Sequence, residues 1–294
     1  MNGIIVIDKP AGASSAEVVR LVKARVKPAR VGHLGTLDPF ATGVLPILVG
    51  EATKLAPFLH EGEKHYAGVI ALGAETDTLD PTGAVTRSAP VPSVPPAALD
   101  EIAARFHGEI EQTPPVYSAI KRAGVPLYKL ARRGGEVAPP PPRKVIVARL
   151  ALAIAAPDRL RFDLVCSPGT YVRALARDIG AALGVPAHLA ELRRIRSGRF
   201  AIEMARPLAQ ALADLEQGRD AGLIGMRAAL DDLPEAHADA ATEKRLRHGD
   251  SRALDCLAPP QAKYFKVVAD GRLVAIAEAT SRVTAVIARI FAEE

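Results

Sequence analysis

Residues 32–54 constrain the fold more than any other part of the chain. They read GHLGTLDPFATGVLPILVGEATK and place a single acid, Asp38, in a loop of small, apolar and hydroxyl residues. Pro39 stiffens the backbone directly after the acid. Residues 44–49 form an apolar run typical of a buried strand, and residues 51–59 favour a helix. The sequence therefore predicts a carboxylate on a rigid loop that leads into the core, which is how a catalytic group is held still.

The pair Asp38–Pro39 also fits a purely structural role. An Asp in a turn commonly accepts a hydrogen bond from a nearby backbone amide, and Pro is a frequent turn residue. The loop alone therefore leaves a catalytic and a structural interpretation open.

Composition limits the class of protein. The chain has 294 residues, and its 38 Lys and Arg against 33 Asp and Glu give a formal net charge of +5. This length suits one large and one small domain, and the mild positive charge permits a polyanionic partner without requiring one. The two cysteines, Cys166 and Cys256, have no metal-ligand spacing, which argues against a structural zinc and against a disulfide framework. The N-terminus lacks a signal-peptide pattern, and no apolar run reaches the roughly eighteen residues of a membrane helix, so we expect a cytoplasmic protein that crosses no membrane.

Apolar periodicity and turn residues predict a mixture of strands and helices. A capping box from Ser14 to Glu17 opens a helix after a first strand at 3–7. Further strands are expected at 63–73, 84–87, 145–155 and 160–166, and helices at 97–106, 171–183 and 207–217. Towards the C-terminus we expect a helix at 242–248, a hairpin at 263–279 and a strand from Arg282 to residue 291. The Asp270-Gly271 pair in that hairpin is the signal of a type I′ turn.

Two basic segments suggest contact with RNA. Residues 109–144 interleave Tyr117 and Tyr128 with lysines and arginines, and they carry a Gly-Gly pair and four consecutive prolines. Basic and aromatic groups on a mobile or extended excursion suit looped RNA, although an ordinary surface loop has the same composition. The second segment carries four arginines between residues 193 and 199, and we expect them to face phosphates.

The central stretch and four other segments resemble the bacterial tRNA pseudouridine-55 synthases, the TruB family. The stretch contains G-x-L-D-P-x-A-T-G, and the chain opens with K-P-x-G-x-[ST]-S from Lys9. The other segments are K-H-Y ending at Tyr66, T-D-T-L-D ending at Asp80 and T-Y-V-R ending at Arg173. The resemblance implies an isomerase that converts uridine to pseudouridine at position 55 in the T loop of tRNA. In that reaction Asp38 is the nucleophile and acts on a uridine flipped out of its loop.

The resemblance also assigns roles around the acid. Arg173 pairs with Asp38, and a guanidinium suits this role because its charge persists when buried and its donors fork onto two oxygens. A carboxylate in a closed site needs such a neighbour to stay ionised. The resemblance implies that the substrate-binding residues are Arg173 itself, His33, Tyr66, which stacks on the uracil, and Tyr171 and Leu192, which line its pocket. For Tyr66, Tyr171 and Leu192 a place in the hydrophobic core is the structural alternative.

Three further residues have less defined roles. His33 matches a histidine that packs where flipped bases leave the loop. A role as a metal ligand is not expected, because no second ligand lies at a usable spacing in the sequence. Lys9 either contacts RNA, supports the active loop or lies at a solvated strand end. Asp80 matches an acid that orients neighbours of the site.

The fold implied by the resemblance is α+β. We expect the pseudouridine-synthase fold, a mostly antiparallel mixed sheet with flanking helices, followed by a small C-terminal β domain of the PUA-like type. Residues 1–230 would form the catalytic domain, with a thumb-like insertion at about 109–144 that closes on the T arm of tRNA. Residues 231–294 would form the RNA-binding domain. We expect a monomer with no cofactor and no metal.

Two other functions are compatible with parts of the sequence. A protein that binds RNA or assists its folding without chemistry would need only the basic insertion and the C-terminal unit. A glycosidase could use Asp38 and Asp80 as paired carboxylates, although the arginine clusters and the tyrosine of K-H-Y argue against it.

Overall fold

The computed structural model describes residues 1–26, 30–131, 137–219, 221–257, 260–281 and 284–292. Within these residues the helices are α1 (Ser15–Arg25), α2 (Ala56–Leu59), α3 (Pro96–Arg105), α4 (Leu127–Ala131), α5 (Val172–Ala182), α6 (Leu208–Glu216) and α7 (Ala240–Arg247). Short 3₁₀ helices lie at Gly50–Leu55, Ile202–Met204, Ala228–Leu230 and Ser251–Cys256.

The strands of the first half are β1 (Gly3–Lys9), β2 (Val31–His33), β3 (Thr42–Val49), β4 (Lys64–Leu72), β5 (Ala74–Thr76), β6 (Val85–Ser88), β7 (Gly108–Gln112), β8 (Lys121–Arg122) and β9 (Val125–Pro126). Those that follow are β10 (Arg143–Ala156), β11 (Arg159–Cys166), β12 (Ala187–Ser197), β13 (Phe200–Ala201), β14 (Arg206–Pro207), β15 (Leu223–Ile224), β16 (Glu235–His237), β17 (Tyr264–Ala269), β18 (Arg272–Ala279) and β19 (Ala285–Ile290).

One large, mixed sheet organises the chain. Its strand order is β14-β1-β3-β12-β4-β11-β10-β7, with β2, β13 and β15 paired at its sides. Most neighbours are antiparallel, and β12 runs parallel to β3. This confirms the predicted α+β class and the mostly antiparallel mixed sheet. β12 lies between β3 and β4, although these two strands follow each other in the sequence. The sheet can therefore form completely only after β12 has been synthesised.

The strands nearest the N-terminus are apolar on both faces because both faces are covered. Along β1, Ile5 and Ile7 belong to one hydrophobic cluster and Ile4 and Val6 to another, as the two-residue period of a strand requires. The first cluster includes residues of α1, α3, α5 and α6. The second includes Met226 and Leu230 and, from the C-terminal part, Leu273, Ile276 and Phe291.

Gly43 permits the contact between β3 and β12. It lies opposite Arg194 in the parallel ladder, and its φ is +100°. A Cβ at this position would overlap the Arg194 carbonyl oxygen. Only glycine lets the two backbones come this close, so the G of A-T-G is required by the fold.

The C-terminal part forms a second, four-stranded sheet in the order β16-β17-β18-β19. Asp270 and Gly271 both have positive φ, +47° and +76°, which is the backbone of a type I′ turn and confirms that prediction. The last strand is Ala285–Ile290, and Arg282, where we expected it to start, lies outside the described residues. The division into residues 1–230 and 231–294 stays a prediction.

The thumb-like insertion is shorter than expected. Residues Gly108–Gln112 form β7 and pair with the start of β10, so both ends of the predicted segment 109–144 belong to the sheet. The excursion between them holds the small hairpin β8–β9 and α4. Arg132, Arg133, Gly134 and Gly135, which contribute to its predicted basic and mobile character, lie outside the described residues.

Local signals locate several helices closely. The Ser14 side chain accepts a hydrogen bond from the Glu17 amide at 3.1 Å, which is one half of the predicted capping box. The helices expected at 171–183 and 207–217 are α5 and α6. The prediction for 51–59 was wrong in type over its first part, because Gly50–Leu55 is a 3₁₀ helix that only then continues as α2.

We predict that Gly43→Ala lowers the free energy of unfolding by about 3 kcal/mol or more, because it adds a steric overlap to an unfavourable φ. Urea unfolding followed by circular dichroism measures this. Gly184→Ala is the matched control, since Gly184 also has positive φ but has open space around it, and it should cost only about 1 kcal/mol. Equal costs for the two variants would contradict the proposed strand contact.

Candidate active site

The loop that carries Asp38 is fixed by hydrogen bonds on both sides of the acid. The Ser15 hydroxyl donates to the Leu37 carbonyl at 3.0 Å and accepts from the Leu37 amide at 2.9 Å. The Pro39 carbonyl accepts from the Lys9 ammonium at 3.2 Å and from the Gly12 amide at 2.8 Å. The residues immediately before and after Asp38 are therefore held by the N-terminal segment, as expected of a preorganised catalytic loop.

Arg194 holds the two ends of the same loop. Its guanidinium donates to the carbonyl oxygens of Val44 at 2.7 Å, Gly35 at 3.1 Å and Thr36 at 3.5 Å. Arg194 is 1% exposed, so it is a buried residue that supports the loop from inside the protein.

This burial overturns the prediction of a phosphate-facing arginine stripe. Arg193 pairs with Asp8, Arg196 lies near Glu63, and Arg199 pairs with Asp231 and Asp232. Side chains of a strand alternate between its faces, and each of these arginines has an internal partner, so the four cations do not form one surface.

Asp38 and Arg173 form the predicted ion pair. Arg173 Nη2 donates to Asp38 Oδ1 at 3.2 Å, and Arg173 Nε lies 2.8 Å from Oδ2 in an ion-pair contact without hydrogen-bond alignment. The Arg173 side chain is 5% exposed and that of Asp38 is 31% exposed. The cation is thus buried beneath a carboxylate that still reaches the surface.

Arg173 also holds two other segments of the chain. Its Nη1 donates to the Thr78 carbonyl at 2.7 Å, and its Nη2 donates to the Tyr117 carbonyl at 2.8 Å. Thr78 belongs to the turn between β5 and β6, and Tyr117 belongs to the insertion. One guanidinium therefore joins the acid, a hairpin turn and the insertion.

Asp80 lies behind this pair, where it can orient Arg173. Its Oδ2 is 3.6 Å from Arg173 Nη1. Its Oδ1 accepts from the Thr78 hydroxyl at 2.8 Å and from the amide and hydroxyl of Thr82 at 2.9 Å and 2.6 Å. Three donors on one oxygen and a cation beside the other occupy the Asp80 carboxyl with internal contacts. This disfavours the glycosidase alternative, because that reaction needs a second carboxyl that is free to donate a proton to the substrate.

The environment of Asp38 acts on its pKa in opposite directions. Burial raises the pKa of the carboxyl above its ordinary value, and the negative charge of Asp80 adds to that rise. The Arg173 guanidinium opposes it by favouring the ionised form. Without Arg173 the acid would hold its proton more strongly and would lose its value as a nucleophile.

Lys9 supports the loop. It is fully buried, and its ammonium donates to the carbonyl oxygens of Ala13 at 2.7 Å, Pro10 at 2.9 Å and Pro39 at 3.2 Å. Burial lowers the pKa of Lys9 to about 8, with Asp38 acting against that change. Of the three roles considered, the buried position favours support of the loop over RNA contact and over a solvated strand end.

Tyr66 and Leu192 lie in one apolar cluster next to the acid's loop. Both are 8% exposed, and their cluster includes Leu37 and Ala41 on either side of Asp38. Tyr66 lies opposite Arg194 in the β4–β12 ladder. Burial raises the pKa of the Tyr66 hydroxyl, the Arg194 charge opposes that rise, and Asp38 adds to it. The structure thus brings Tyr66 close enough to sense both charges.

Tyr171 caps the start of α5 and is fixed through its backbone. The Gln112 side chain accepts from the Tyr171 amide at 2.7 Å and donates to its carbonyl at 3.1 Å. The Arg143 guanidinium carbon lies 4.5 Å from the centre of the Tyr171 ring. Because Arg173 follows two residues later on the first turn of α5, this arrangement also orients the arginine of the ion pair.

His33 ends β2 and lies half-buried near the support of the loop. Burial lowers the pKa of its imidazole, and the nearby charges of Arg194 and His60 lower it further. Its Nδ1 is buried without a hydrogen-bond partner. The structure therefore places a half-buried imidazole with a lowered pKa near the Asp38 loop, and among the described residues no hydrogen bond links it to Asp38.

Sequence reasoning missed the residues that act through backbone contacts. Ser15, Gln112, Thr78 and Arg194 hold the site, yet each has an ordinary structural interpretation in sequence. The available signal was the motif K-P-x-G-x-[ST]-S, for which support of the active loop was one of the roles considered, and its second Ser, Ser15, provides that support.

The Asp38 side chain is only partly exposed. Two cavities of about 700 and 160 Å³ are lined by other residues, and none of the site side chains contributes to them. Among the described residues, no group of three His, Cys, Asp or Glu comes together as a metal site. In the same part of the chain, no helix combines the length and apolar character needed to span a bilayer.

Comparison with known proteins identifies the family. Residues 23–172 match the model "TruB family pseudouridylate synthase (N terminal domain)", and residues 173–247 match "tRNA pseudouridylate synthase B C-terminal domain". The chain belongs to the TruB family. TruB relatives named tRNA pseudouridine synthase B include proteins of Geobacter sulfurreducens, 41% identical over 95% of this chain and 93% of that protein, and of Xanthomonas campestris pv. campestris, 43% identical over 93% and 92%.

Solved structures agree with the fold of this TruB family member. A Cbf5-Nop10-Gar1 complex contains a chain that is 27% identical, with a TM-score of 0.72 over 99% of this chain and 84% of that one. A structure of an H/ACA RNP bound to a substrate RNA containing 2′-deoxyuridine gives a TM-score of 0.73 at 24% identity, which shows the shared fold alone. The predicted pseudouridine-synthase fold is therefore confirmed.

We predict that Asp80→Asn lowers the pKa of Asp38. Removing a negative charge next to the ion pair makes ionisation of Asp38 easier, while the Asn oxygen can still accept from Thr78 and Thr82. Carbon-13 NMR of labelled carboxyl groups measures the titration, with an Asp38→Asn spectrum to assign the signal. Asp77→Asn is the control, because this acid of the same turn faces Tyr117 instead. An unchanged or higher pKa in the Asp80 variant would contradict the geometry described.

Proposed function

We propose that the protein converts uridine to pseudouridine at position 55 in the T loop of tRNA, with Asp38 as the nucleophile. The observation that supports this most directly is the carboxylate that is paired with a buried guanidinium and still 31% exposed. The guanidinium favours the ionised form of the carboxyl, and the exposed part of the group remains reachable by a substrate. Membership of the family and the names of the relatives support the same reaction and substrate.

The chemistry requires no change of oxidation state. The bond between C1′ and N1 breaks, the uracil rotates, and a bond forms between C1′ and C5. N1 gains a proton and C5 loses one, so atoms and electrons balance within the nucleoside and the solvent. One carboxylate is sufficient, either by adding to C6 of the base or by acting at C1′ of the ribose.

The other side chains of the site prepare the base for this step. Tyr66 and Leu192 supply an apolar surface for a uracil beside Asp38, and the Tyr171 ring is held rigidly at the start of α5. Extracting a base from its loop costs roughly a few kcal/mol, which stacking and phosphate contacts must offset. His33 lies half-buried at the end of β2 near the loop, where the exposed part of its ring can pack against an RNA base.

Closure of the site is expected to involve the insertion. Tyr117 binds Arg173 through its carbonyl and Asp77 through its hydroxyl, at 2.8 and 3.3 Å. RNA that presses on the insertion would therefore affect the arginine of the ion pair directly. We further propose that the protein acts as a monomer in the cytoplasm, because one chain supplies every group named here and tRNA is the substrate.

We predict that Asp38→Asn abolishes product formation. A transcript of unmodified tRNA labelled with tritium at uracil C5 releases tritium when C5 bonds to C1′, and this release should fall by more than about 10⁴-fold. Filter binding should show nearly unchanged affinity for the same tRNA, because the substituted group is small and the Arg173 contacts to Thr78 and Tyr117 can persist.

Two results would count against this proposal. Failure of the folded wild-type protein to release tritium would exclude the reaction. Full rescue of a deletion strain by Asp38→Asn would show that the cellular role is RNA binding or folding without chemistry.

We predict that Tyr117→Phe slows the single-turnover reaction about three- to tenfold, the effect of losing one hydrogen bond that positions Arg173. Quenched tritium release under enzyme excess measures the rate, and the dissociation constant for tRNA should not change. Asp77→Ala, which removes the acceptor of the Tyr117 hydroxyl, should slow the reaction to a similar extent, and the double variant should be no slower than either single one. Additive losses would show that the contact between these two side chains is not the cause.

A further inference from the structure

Arg143 belongs to the sheet, although it lies within the segment that we predicted to be a mobile insertion. It is the first residue of β10 and pairs across the ladder with Gln112 of β7. Gln112 is the residue that holds Tyr171 through both of its backbone groups. The base of the Arg143 side chain is therefore fixed relative to Tyr171 and to the active site.

The guanidinium of Arg143 lies between a ring and a glycine. Its central carbon is 4.5 Å from the centre of the Tyr171 ring. A Cβ at Gly169, which has φ of +88°, would lie 3.6 to 3.8 Å from the two terminal nitrogens and the central carbon. A larger side chain at this position would cover the guanidinium, whereas glycine leaves it uncovered.

The donors of this guanidinium have no acceptor among the described residues. Arg143 makes no hydrogen bond and no ion pair there, and its Nε is buried without a partner. Other arginines of the surrounding strands and of α5 have carboxylate or carbonyl partners: Arg149, Arg173, Arg177, Arg193 and Arg194. The cation–π contact with the Tyr171 ring supplies no oxygen or nitrogen acceptor, so the donors at the edge of the group remain available.

An oriented guanidinium with free donors is a receptor for an oxyanion. Its planar fork matches two oxygens of a phosphate, and holding the group against a ring reduces the entropy that is lost on binding. A half-buried cation without a partner is unfavourable in the free protein, so a ligand that supplies the missing acceptors explains the arrangement. In RNA the only anionic acceptors are the backbone phosphates.

We infer that Arg143 binds one backbone phosphate of the substrate RNA next to the uridine that enters the site. This inference rests on the proposed function, and it assigns to Arg143 a position in substrate binding. A phosphate held there would lie over the Tyr171 ring, whose backbone leads directly into α5 and Arg173. The contact would thus fix the strand that carries the flipped nucleotide relative to the ion pair.

Salt dependence of binding gives the first test. Each phosphate contact contributes about −0.7 to −0.9 to the slope of log affinity against log salt concentration. Arg143→Gln should reduce the magnitude of the slope for unmodified tRNA by about that amount and weaken binding about tenfold at moderate salt. Arg161→Gln is the matched control, because Arg161 is an exposed strand arginine with no partner among the described residues and lies on the sheet face opposite to Tyr66 and Leu164.

A phosphate scan locates the contact. T-arm hairpins with a single neutral methylphosphonate linkage, placed in turn on either side of the target uridine, are titrated against the wild type and Arg143→Gln. One linkage should weaken binding to the wild type about tenfold and leave binding to the variant unchanged, since the variant has already lost that contact. If every linkage weakens both proteins equally, the inference is wrong.

Further outcomes separate this role from structural ones. If Arg143→Gln turns over slowly but keeps the wild-type affinity and salt slope, Arg143 only positions Tyr171. If Arg161→Gln changes the affinity and slope as much as Arg143→Gln does, the effect is one of general charge. Either result overturns the inference. If Arg143→Gln does not fold, Arg143→Lys replaces it: it should keep the slope and bind a few-fold more weakly because the fork and the stack are lost. A lysine variant identical to wild type would also overturn it. Tritium release by the wild type is measured separately, so failure of the proposed function is distinguishable from failure of this contact.

Discussion

The contact between β3 and β12 at Gly43 is the constraint on which the rest of the structure depends. It allows two backbones to approach so closely that the side chain of Arg194 reaches across to three carbonyl oxygens around the Asp38 loop. A loop whose carbonyl groups point at a buried cation cannot relax without leaving that charge unpaired, which is costly. Ser15 and Lys9 add further hydrogen bonds from the opposite side. The rigidity of the acid thus comes from segments distant in sequence.

A second arginine gives this rigid acid its chemical character. Arg173 favours the ionised form of Asp38 against the effect of burial on its pKa, and it does so while bound to a hairpin turn and to the insertion. Asp80 holds the guanidinium from behind with an oxygen that faces its Nη1. The electrostatic state of Asp38 is therefore linked to the position of the elements that we propose touch RNA. Arg143 extends the same arrangement outward, since Gln112 connects its strand to the start of the helix that carries Arg173.

Local chemistry determined which parts of this architecture could be predicted. The Asp270-Gly271 turn, the cap of α1 and the run of β3 follow from residues adjacent in sequence, and all three are found where they were expected. The pairing of Asp38 with Arg173 could be expected only from the resemblance, because the two residues are 135 positions apart. The arginines from 193 to 199 were misjudged because a charge pattern shows neither which strand face a residue occupies nor which distant acceptors meet it. The sheet order depends on the position of β12 between β3 and β4, which the secondary-structure propensities of the residues do not encode.

The position of β12 has a consequence for how the chain is made. The boundary between the two family models falls at residues 172 and 173, at the start of α5, whereas the large sheet needs the strand that ends at Ser197 to join β3 to β4. As the polypeptide leaves the ribosome, β3 and β4 emerge long before the strand that separates them. Until then their facing edges expose unpaired backbone groups, which are prone to pair with other chains. The nascent N-terminal half therefore cannot complete the large sheet until the chain has been made as far as Ser197.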